Sequence, residues 1–585
     1  MVSAGELEIF RHNLESTVEE MGLTLQRTAY STNIKIRRDH TCALFDAKLR
    51  HIAQHDIAPQ HIGSLVSVVP RNMRDRLREL EPGDGFLIND PYLGAVHLPD
   101  VMLISPVFYE SELVGFAANS AHHVDIGGST PGGIPTDSTE LYAEGIVMPC
   151  TKAVEDWEYD DAVLDLIRRN VRGTKMRLGD YRAQLGANHI GEQRYGELID
   201  EYGAERIIDY LDELLDYTEQ RVRNAIEDLP DGTFEAEDYL DGDGVVDEPV
   251  QLKLVITVDG DEITVDFTGT AKQNEGPLNC TPAMIFAGTM SVIMALLGES
   301  LPKNDGFYRP FEFITPEGTM VNPQPQAPVA AGWEIPMRSG DLVAKAMAEP
   351  LPDETIAATK GTVCNIAYGG QDPRSDDQNE NYVYYETVAG GYGARKEKDG
   401  MEAVQTHFQN TANSPIEELE REIPLYVRRY ELIEDSAGAG RTRGGLGVRR
   451  DMEFYDHSTR FSILADRTKS EPWGLFGGHA GRPARYVMNP DTADETVVSS
   501  KSTTKLRPSG VASIQTPGGG GYGDPLARSP EKVLIDVLDE KVSKTAARDE
   551  YGVVIENGGT VDEEATRELR EKMREDGATG EVSEE

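Results

Sequence analysis

Cysteine is scarce: Cys42, Cys150, Cys280 and Cys364 are the only four, far apart and with no C-x-x-C pair. This excludes a dense disulfide framework and makes a reducing interior the simplest setting. Basic residues are also few. Lys and Arg number 57 against 102 Asp and Glu, for a formal charge of −45 spread along the whole chain, which argues against binding nucleic acid through a basic face. Long hydrophobic runs are missing too. The most apolar segment, AMIFAGTMSVIMALLG from Ala283 to Gly298, is shorter than a bilayer requires. It reads as a buried helix of a soluble, cytoplasmic protein with no membrane partner. The opening MVSAGELEIFRHNLE lacks a basic stretch followed by an apolar one, so it is no secretion signal. There is no G-x-S-x-G nucleophile elbow, no H-E-x-x-H and no recognisable Cys-His signature, so a serine or cysteine hydrolase is the weaker enzyme reading. No glycine cluster is followed by the Lys-Ser/Thr of a phosphate-binding loop.

What is present is a chain of 585 residues, 39% apolar, long enough for a large composite core. Leu7, Phe10, Leu14, Val18, Met21 and Leu25 recur at three- and four-residue steps and predict an amphipathic helix from Gly5 to about Ala29. Short β-type runs then continue to about residue 160, residues 161–230 read as a helical insertion, and 231–525 as a β-rich, glycine-rich region. Residues 526–585 read as an acidic tail that docks one helix and frays at its end. LKLVITVDGDEITVDFTGT is a hairpin signature turning at Asp259-Gly260. DGDGVVD at Asp241 imitates an EF-hand start, but Val245 stands where an oxygen ligand is needed, so it reads as a polar turn. The glycine clusters read as tight turns and close backbone approach. The fold class is mixed α/β (α+β), a β-rich composite with a helical insertion and a helical tail.

Histidine is scarce, with 12 residues, yet His97, His122 and His123 fall close together beside Asp90, Asp100 and Asp125, at the ends of strand-like runs. The H-x-x-D of HLPD puts an imidazole and a carboxylate on one turn, and SAHHVD can add a third ligand from a neighbouring strand end. Imidazole with carboxylate suits Mn, Fe or Zn. Hydrogen-bonded loop histidines and turn caps account for the same spacing, and the sequence leaves both readings open.

The ordered motifs NIKIRRDHTCALFD, NDPYLGAVHLPDV, SAHHVDIGGSTPGG, VDFTGT, QNTANSPIEELE and TPGGGGYGDP resemble the hydantoinase B family, the subunit type of N-methylhydantoinase, 5-oxoprolinase and acetone or acetophenone carboxylase. The resemblance runs from about Leu7 to Pro525. It implies a metal-dependent catalytic subunit whose ligands are Asp39, His97, Asp100 and His122, holding a divalent ion, Mn or Zn. His123 and Asp125 are then candidates for catalytic proton transfer or for orienting the ligands, and Asp90 for bracing one. The implied partner is a hydantoinase A-type subunit that binds ATP, in a heterodimer or heterotetramer. The implied reaction is ATP-dependent hydrolysis of a cyclic amide such as hydantoin, N-methylhydantoin or 5-oxoproline. The alternatives are the metal subunit of an ATP-dependent carboxylase of a small ketone, and a non-catalytic scaffold for the partner. Departures from the family pattern, Ile36 and His40 in the first motif and Ala95 and Val96 in the second, bear on the substrate more than on the metal.

The spread of acid points to a halophilic protein, because carboxylates hold hydration while dense salt screens their repulsion. The unfolding midpoint is therefore expected to rise steadily from dilute buffer to high KCl. Full stability in dilute buffer would refute this.

Overall fold

A computed structural model describes residues 3–55, 59–298, 301–376, 381–409 and 411–580. Helix α1 (Ala4–Thr28) begins at Ser3, whose hydroxyl accepts the Glu6 amide N–H while the Glu6 carboxylate accepts the Ser3 amide, a capping box. All six periodic residues of α1 are buried in one cluster. A short α2 (Thr32–Lys35) leads into a seven-stranded sheet made of β1 (His40–Asp46), β2 (His51–Gln54), β3 (Gly85–Ile88), β4 (Asp100–Tyr109), β5 (Glu112–His122), β6 (Thr151–Glu155) and β7 (Glu158–Tyr159). The spatial order is β2-β1-β5-β4-β3-β6-β7, antiparallel throughout.

Both faces of this sheet are covered, which is why all seven residues of β1 are buried. Helix α3 (Ile62–Met73) lies on one face with Ala43, Phe45, Met102, Ile104, Phe116 and Ala118. The other face, with Cys42, Leu44, Ala117 and Ala121, packs against α1 and the 29-residue α5 (Thr174–Tyr202), which follows α4 (Asp161–Asn170) and precedes α6 (Ala204–Glu227). The helical segment expected over 161–230 spans Asp161–Glu227. It roofs the first sheet, and polar side chains fasten it there: Asn119 Nδ2 donates to Gln184 O (2.8 Å) and Asn188 Nδ2 to Leu103 O (3.0 Å).

The remaining strands form three smaller sheets. β8 (Gly232–Leu240), β9 (Val250–Asp259) and β10 (Glu262–Asp266) make a meander. Its β9–β10 turn is the expected hairpin, with Glu262 paired to Asp259 and Gly260 at φ +62°. The apolar segment at Ala283 lies within α7 (Pro282–Leu297), which is followed by α8 (Asp305–Tyr308) and by β11 (Phe311–Ile314), parallel to β10. No helix among the described residues is long and apolar enough to cross a membrane. After α9 (Glu334–Ala346), strands β12 (Asn365–Gln371) and β13 (Asn381–Thr387) pair with β16 (Thr459–Leu464) and β19 (Lys501–Leu506). Helix α10 (Ile416–Glu422) precedes a last sheet of β14 (Leu425–Leu432), β15 (Val448–Phe454), β20 (Gly510–Gln515), β17 (Arg485–Met488) and β18 (Thr496–Val498). Asp243 of the EF-hand look-alike accepts amides of Val245, Val246 and Gly276, confirming a turn.

The TPGGGG run threads between other backbones. A Cβ on Gly519, Gly520 or Gly521 would lie 2.0–2.1 Å from the carbonyl oxygens of Tyr392, Trp473 or Ala439, a closeness only glycine permits. The tail departs from expectation. It docks three helices, α11 (Pro530–Leu538), α12 (Lys544–Asp549) and α13 (Glu563–Gly580), and Val533, Ala547 and Tyr551 share a small core with Ala439. The expected fraying at the end lies outside the described residues.

Helix α3 is held close to α7 at Gly63, where an added Cβ would sit 1.7 Å from Ala283 O. Gly63→Ala is expected to lower stability by about 3 kcal/mol through this overlap. The control Gly186→Ala, on α5 with nothing near its added Cβ, is expected to leave stability unchanged or raised by up to about 1 kcal/mol. Denaturant unfolding of both variants measures the contrast.

Candidate metal centre

The alternation of side chains along a strand decides which residues meet. On the α3 face, Asp39 immediately precedes β1, Asp100 begins β4 and His122 ends β5, and β1-β5-β4 are neighbours in the sheet. Asp100 and His122 are cross-strand partners, and the His122 amide donates to Asp39 O at 3.0 Å. His97 enters from the β3–β4 loop. Its carbonyl accepts the Asp100 amide (3.0 Å), and its Nδ1 lies 2.8 Å from Asp100 Oδ2. His122 Nδ1 lies 2.9 Å from Asp100 Oδ1. His97, Asp100 and His122 are all buried and their ligand atoms converge within one ion's reach. Asp39 stands at the edge of the same cavity, its Oδ1 held by Gln60 Nε2 at 2.9 Å.

The loop carrying His97 is fixed by Asn89, whose amide nitrogen donates to Leu98 O (2.8 Å) and Ile146 O (2.9 Å) and whose oxygen accepts the Met148 amide. Asp90 has a different task from the one expected. It caps the Pro91–Leu93 turn by accepting the Tyr92 amide at 2.9 Å, and among the described residues its side chain makes no hydrogen bond to His97, Asp100 or His122. The second half of the chain closes the site. The Tyr385 ring stacks on His122 (centroids 4.3 Å apart), and Trp333 meets His97 edge-on at 5.8 Å. Arg37, buried two residues before Asp39, ties these halves together: its guanidinium donates to Asn33 Oδ1, Tyr385 O and Thr387 Oγ1.

The donor set fits a divalent cation. Burial pushes the Asp100 carboxyl up, but the imidazoles of His97 and His122 outweigh it and hold it well below the usual carboxylate range. Asp100 is thus an anion in an apolar surround, a state that needs a counter-charge. His122 Nε2 has no hydrogen-bond partner among the described residues, and His97 Nδ1 meets the Asp100 carboxylate. Imidazole nitrogens beside carboxylate oxygens match Zn or Mn.

His123 and Asp125 are not brought to this cavity. One step along the strand turns His123 to the opposite face, where Nε2 meets Gln184 Oε1 at 3.0 Å and the ring packs on Tyr181 at 4.4 Å. Burial lowers its pKa to about 4, so it is neutral. Asp125 accepts the amides of Gly127, Gly132 and Arg172 and pairs with the Arg172 guanidinium at 3.0 Å, which organises the loop after β5. His40 likewise faces α1, meeting Gly22 O at 3.1 Å, while Ala95 and Val96 pack into apolar clusters.

Two cavity residues, Gln60 and His61, escaped the sequence reading because no carboxylate motif surrounds them. Their available signal was crowding: His40, His51, His55, His61, His97, His122 and His123 make seven of the 12 histidines.

This buried imidazole–carboxylate cluster at the ends of three adjacent strands belongs to a defined protein class. The hydantoinase B/oxoprolinase family profile matches residues 4–525, and the chain belongs to that family. A candidate B-type D-/L-hydantoinase chain of a Pseudomonas species is 38% identical over 588 residues, covering 96% of this chain and 97% of that one. The crystal structure of the ATP-dependent caprolactamase from Pseudomonas jessenii superposes with a TM-score of 0.89 at 30% identity, over 97% of this chain and 100% of that one. A nucleotide-free acetone carboxylase structure superposes with a TM-score of 0.90 over 98% of this chain and 83% of that one, a likeness of fold at 20% identity.

Replacing Asp125 by Ala is expected to cost on the order of 3 kcal/mol of stability, because it strands a partly buried guanidinium and three amides. Metal bound per chain is expected to stay the same. Calorimetric unfolding and elemental analysis of the same sample give both numbers.

Proposed function

We propose that this chain is the metal-dependent catalytic subunit of an ATP-dependent cyclic amide hydrolase, acting on hydantoin, 5-oxoproline or a related lactam. Its ligands are Asp39, His97, Asp100 and His122. The observation that carries the reading is the convergence of buried ligand atoms of His97, Asp100 and His122, all within 4.8 Å of one another, with Asp39 lining the cavity beside Asp100 and His122. A divalent ion held there supplies Lewis acidity toward an oxygen of the substrate.

The chain's own residues do the rest. An amide is a poor electrophile, and ATP activation of its oxygen makes the carbon reactive. This chain shows no phosphate-binding loop, so activation falls to an A-type ATP-binding partner, in keeping with relatives named as one component of a hydantoinase and as the beta component of caprolactamase. Tyr385 and Trp333, packed on the two imidazoles, fix their rings and exclude bulk water. His123 and Asp125 keep β5 and its following loop in register and handle no substrate proton. The complex is a heterodimer or a pair of them.

Co-expression with an A-type partner, followed by assays of hydantoin, 5-oxoproline and caprolactam, is expected to show ring opening that needs ATP and is lost after chelation. Mn or Zn restores it, and His97→Ala lowers it by about 100-fold or more. Carboxylation of a small ketone without any ring opening would overturn the hydrolase reading. Undiminished turnover by His97→Ala would overturn the catalytic role altogether.

A further inference from the structure

A second cavity adjoins the centre. Its volume is about 480 Å³, within the roughly 300–1,000 Å³ of small-molecule sites. The described residues that line it differ throughout from those beside the metal ligands, yet the two spaces share walls. In the turn that starts α3, Pro59 and Ile62 line the larger cavity, and Gln60 and His61 line the smaller one. In the loop after β13, His407 lines the larger cavity, and Phe408 and Gln409 line the smaller one. Two short chain segments thus have the metal ligands on one side and a ligand-sized space on the other.

Its walls are largely apolar, with Ile62 from α3, Met294 from α7, and Leu301 and Phe307 from the segment running into α8. Two of its polar residues are already engaged. Ser291 Oγ donates to Ala287 O at 2.7 Å, and His407 Nε2 lies 2.7 Å from Asp341 Oδ1. Gln54 differs. It is the last residue of β2, paired with Ala43 of β1, and it lines the cavity while only 8% exposed. Its Oε1 is buried and has no hydrogen-bond partner among the described residues. An orphaned buried oxygen costs stability, and buried polar atoms in folded proteins are nearly always paired. At the wall of a ligand-sized cavity, the orphan points to a partner that arrives with the ligand.

We propose that this cavity receives the substrate ring and that Gln54 sets specificity by reading the ring's amide edge. This rests on the cyclic amide hydrolase reading and names what that site recognises. A small ring holds its amide cis, so N–H and C=O leave from the same edge. A primary carboxamide carries an acceptor and a donor side by side, and its terminal torsion is soft. Gln54 therefore accepts from the ring N–H at Oε1 and donates from Nε2 to the ring oxygen. Once that oxygen is activated, the ring nitrogen becomes an acceptor, and the same side chain serves it from Nε2. Met294 and Phe307 supply apolar contact for the rest of the ring. A ketone of the same ring size has no N–H and leaves Oε1 orphaned, which is how a hydrogen-bonding site rejects an analogue.

The test uses the co-expressed complex, wild type and Gln54→Leu, titrated without ATP with two probes of one ring size, 2-pyrrolidinone and cyclopentanone, and followed by ligand NMR. Wild type is expected to prefer 2-pyrrolidinone by about 30-fold, the worth of two net hydrogen bonds. Gln54→Leu is expected to bring the probes within about threefold of each other by weakening the amide alone, and to raise KM for the cyclic amide that wild type opens by about 30-fold. Metal per chain is expected to hold, and the unfolding midpoint to hold or rise, because an orphaned oxygen has gone. A preference that survives in Gln54→Leu, or equal binding of both probes by wild type, overturns the proposal. So does loss of the preference together with a lowered midpoint, which marks a structural glutamine. If Gln54→Leu fails to fold, Gln54→Met takes its place, and a crystal structure of the wild-type complex with 2-pyrrolidinone decides: a ring hydrogen-bonded to Gln54 supports the proposal, and a ring bound elsewhere refutes it. If wild type prefers the amide probe through Gln54 yet opens no ring with ATP and metal, the hydrolase reading fails while the amide-reading cavity stands.

Discussion

The structure around the centre depends on one constraint: two carboxylates, Asp39 and Asp100, are buried at the ends of β1 and β4, the two strands that flank β5 and its His122. An unpaired charge in an apolar interior is among the costliest things a fold can contain. Three imidazoles from three segments therefore surround the pair, His97 from a loop, His122 from β5 and His61 from the start of α3. A lysine or arginine in the same place would neutralise the pair by a permanent salt bridge, whereas an imidazole can turn a ring-nitrogen lone pair toward a cation, so the donor set stays open to one.

The same constraint explains the long-range architecture. The sheet must be covered on both faces, since a half-solvated sheet would wet the carboxylates. α5 covers the far face and α3 the near one. The open end over His97 and His122 is closed by Trp333 and Tyr385, residues more than 200 positions downstream of either. Arg37 lies next to the centre yet directs its donors to Asn33, Tyr385 and Thr387 and away from Asp39. A guanidinium turned inward would compete with the cation, so its outward aim stitches the two halves of the chain without discharging the site.

Much of this was legible in the sequence, and the illegible parts share a cause. The first helix, the hairpin at Gly260 and the buried apolar helix follow from short-range periodicity and turn chemistry, and all three formed where expected. The H-x-x-D pair was readable because both residues sit on one turn. The His122–His123 doublet could not be resolved by composition. Which of the two faces the centre depends on strand register, which is set by the pairing of Asp100 with His122 and by the neighbouring strand of Asp39. The resemblance to the family supplied Asp39 and singled out His122, while neither it nor the spacing suggested His61 or Gln60. The tail misled for a related reason: its acid-rich helices look like solvent-exposed structure, but Val533, Ala547 and Tyr551 find a partner in Ala439, more than 90 residues before them.

Electrostatics act on this molecule at two separate scales. The exposed acid generates a long-range repulsion that falls away within about 10 Å at 0.1 M salt. The interior charges, including Arg450 with Glu386 at 2.9 Å and Arg338 with Asp466 at 2.7 Å, are paired at contact distance and fully buried, beyond the reach of screening ions. Salt therefore tunes the cost of keeping so many surface carboxylates together without loosening the pairs that hold the halves of the chain in place. The centre belongs to the second scale. Asp39 and Asp100 lie buried beside the aromatic rings of Trp333 and Tyr385, so an ionic strength that reshapes the surface field leaves the local field at the centre nearly unchanged.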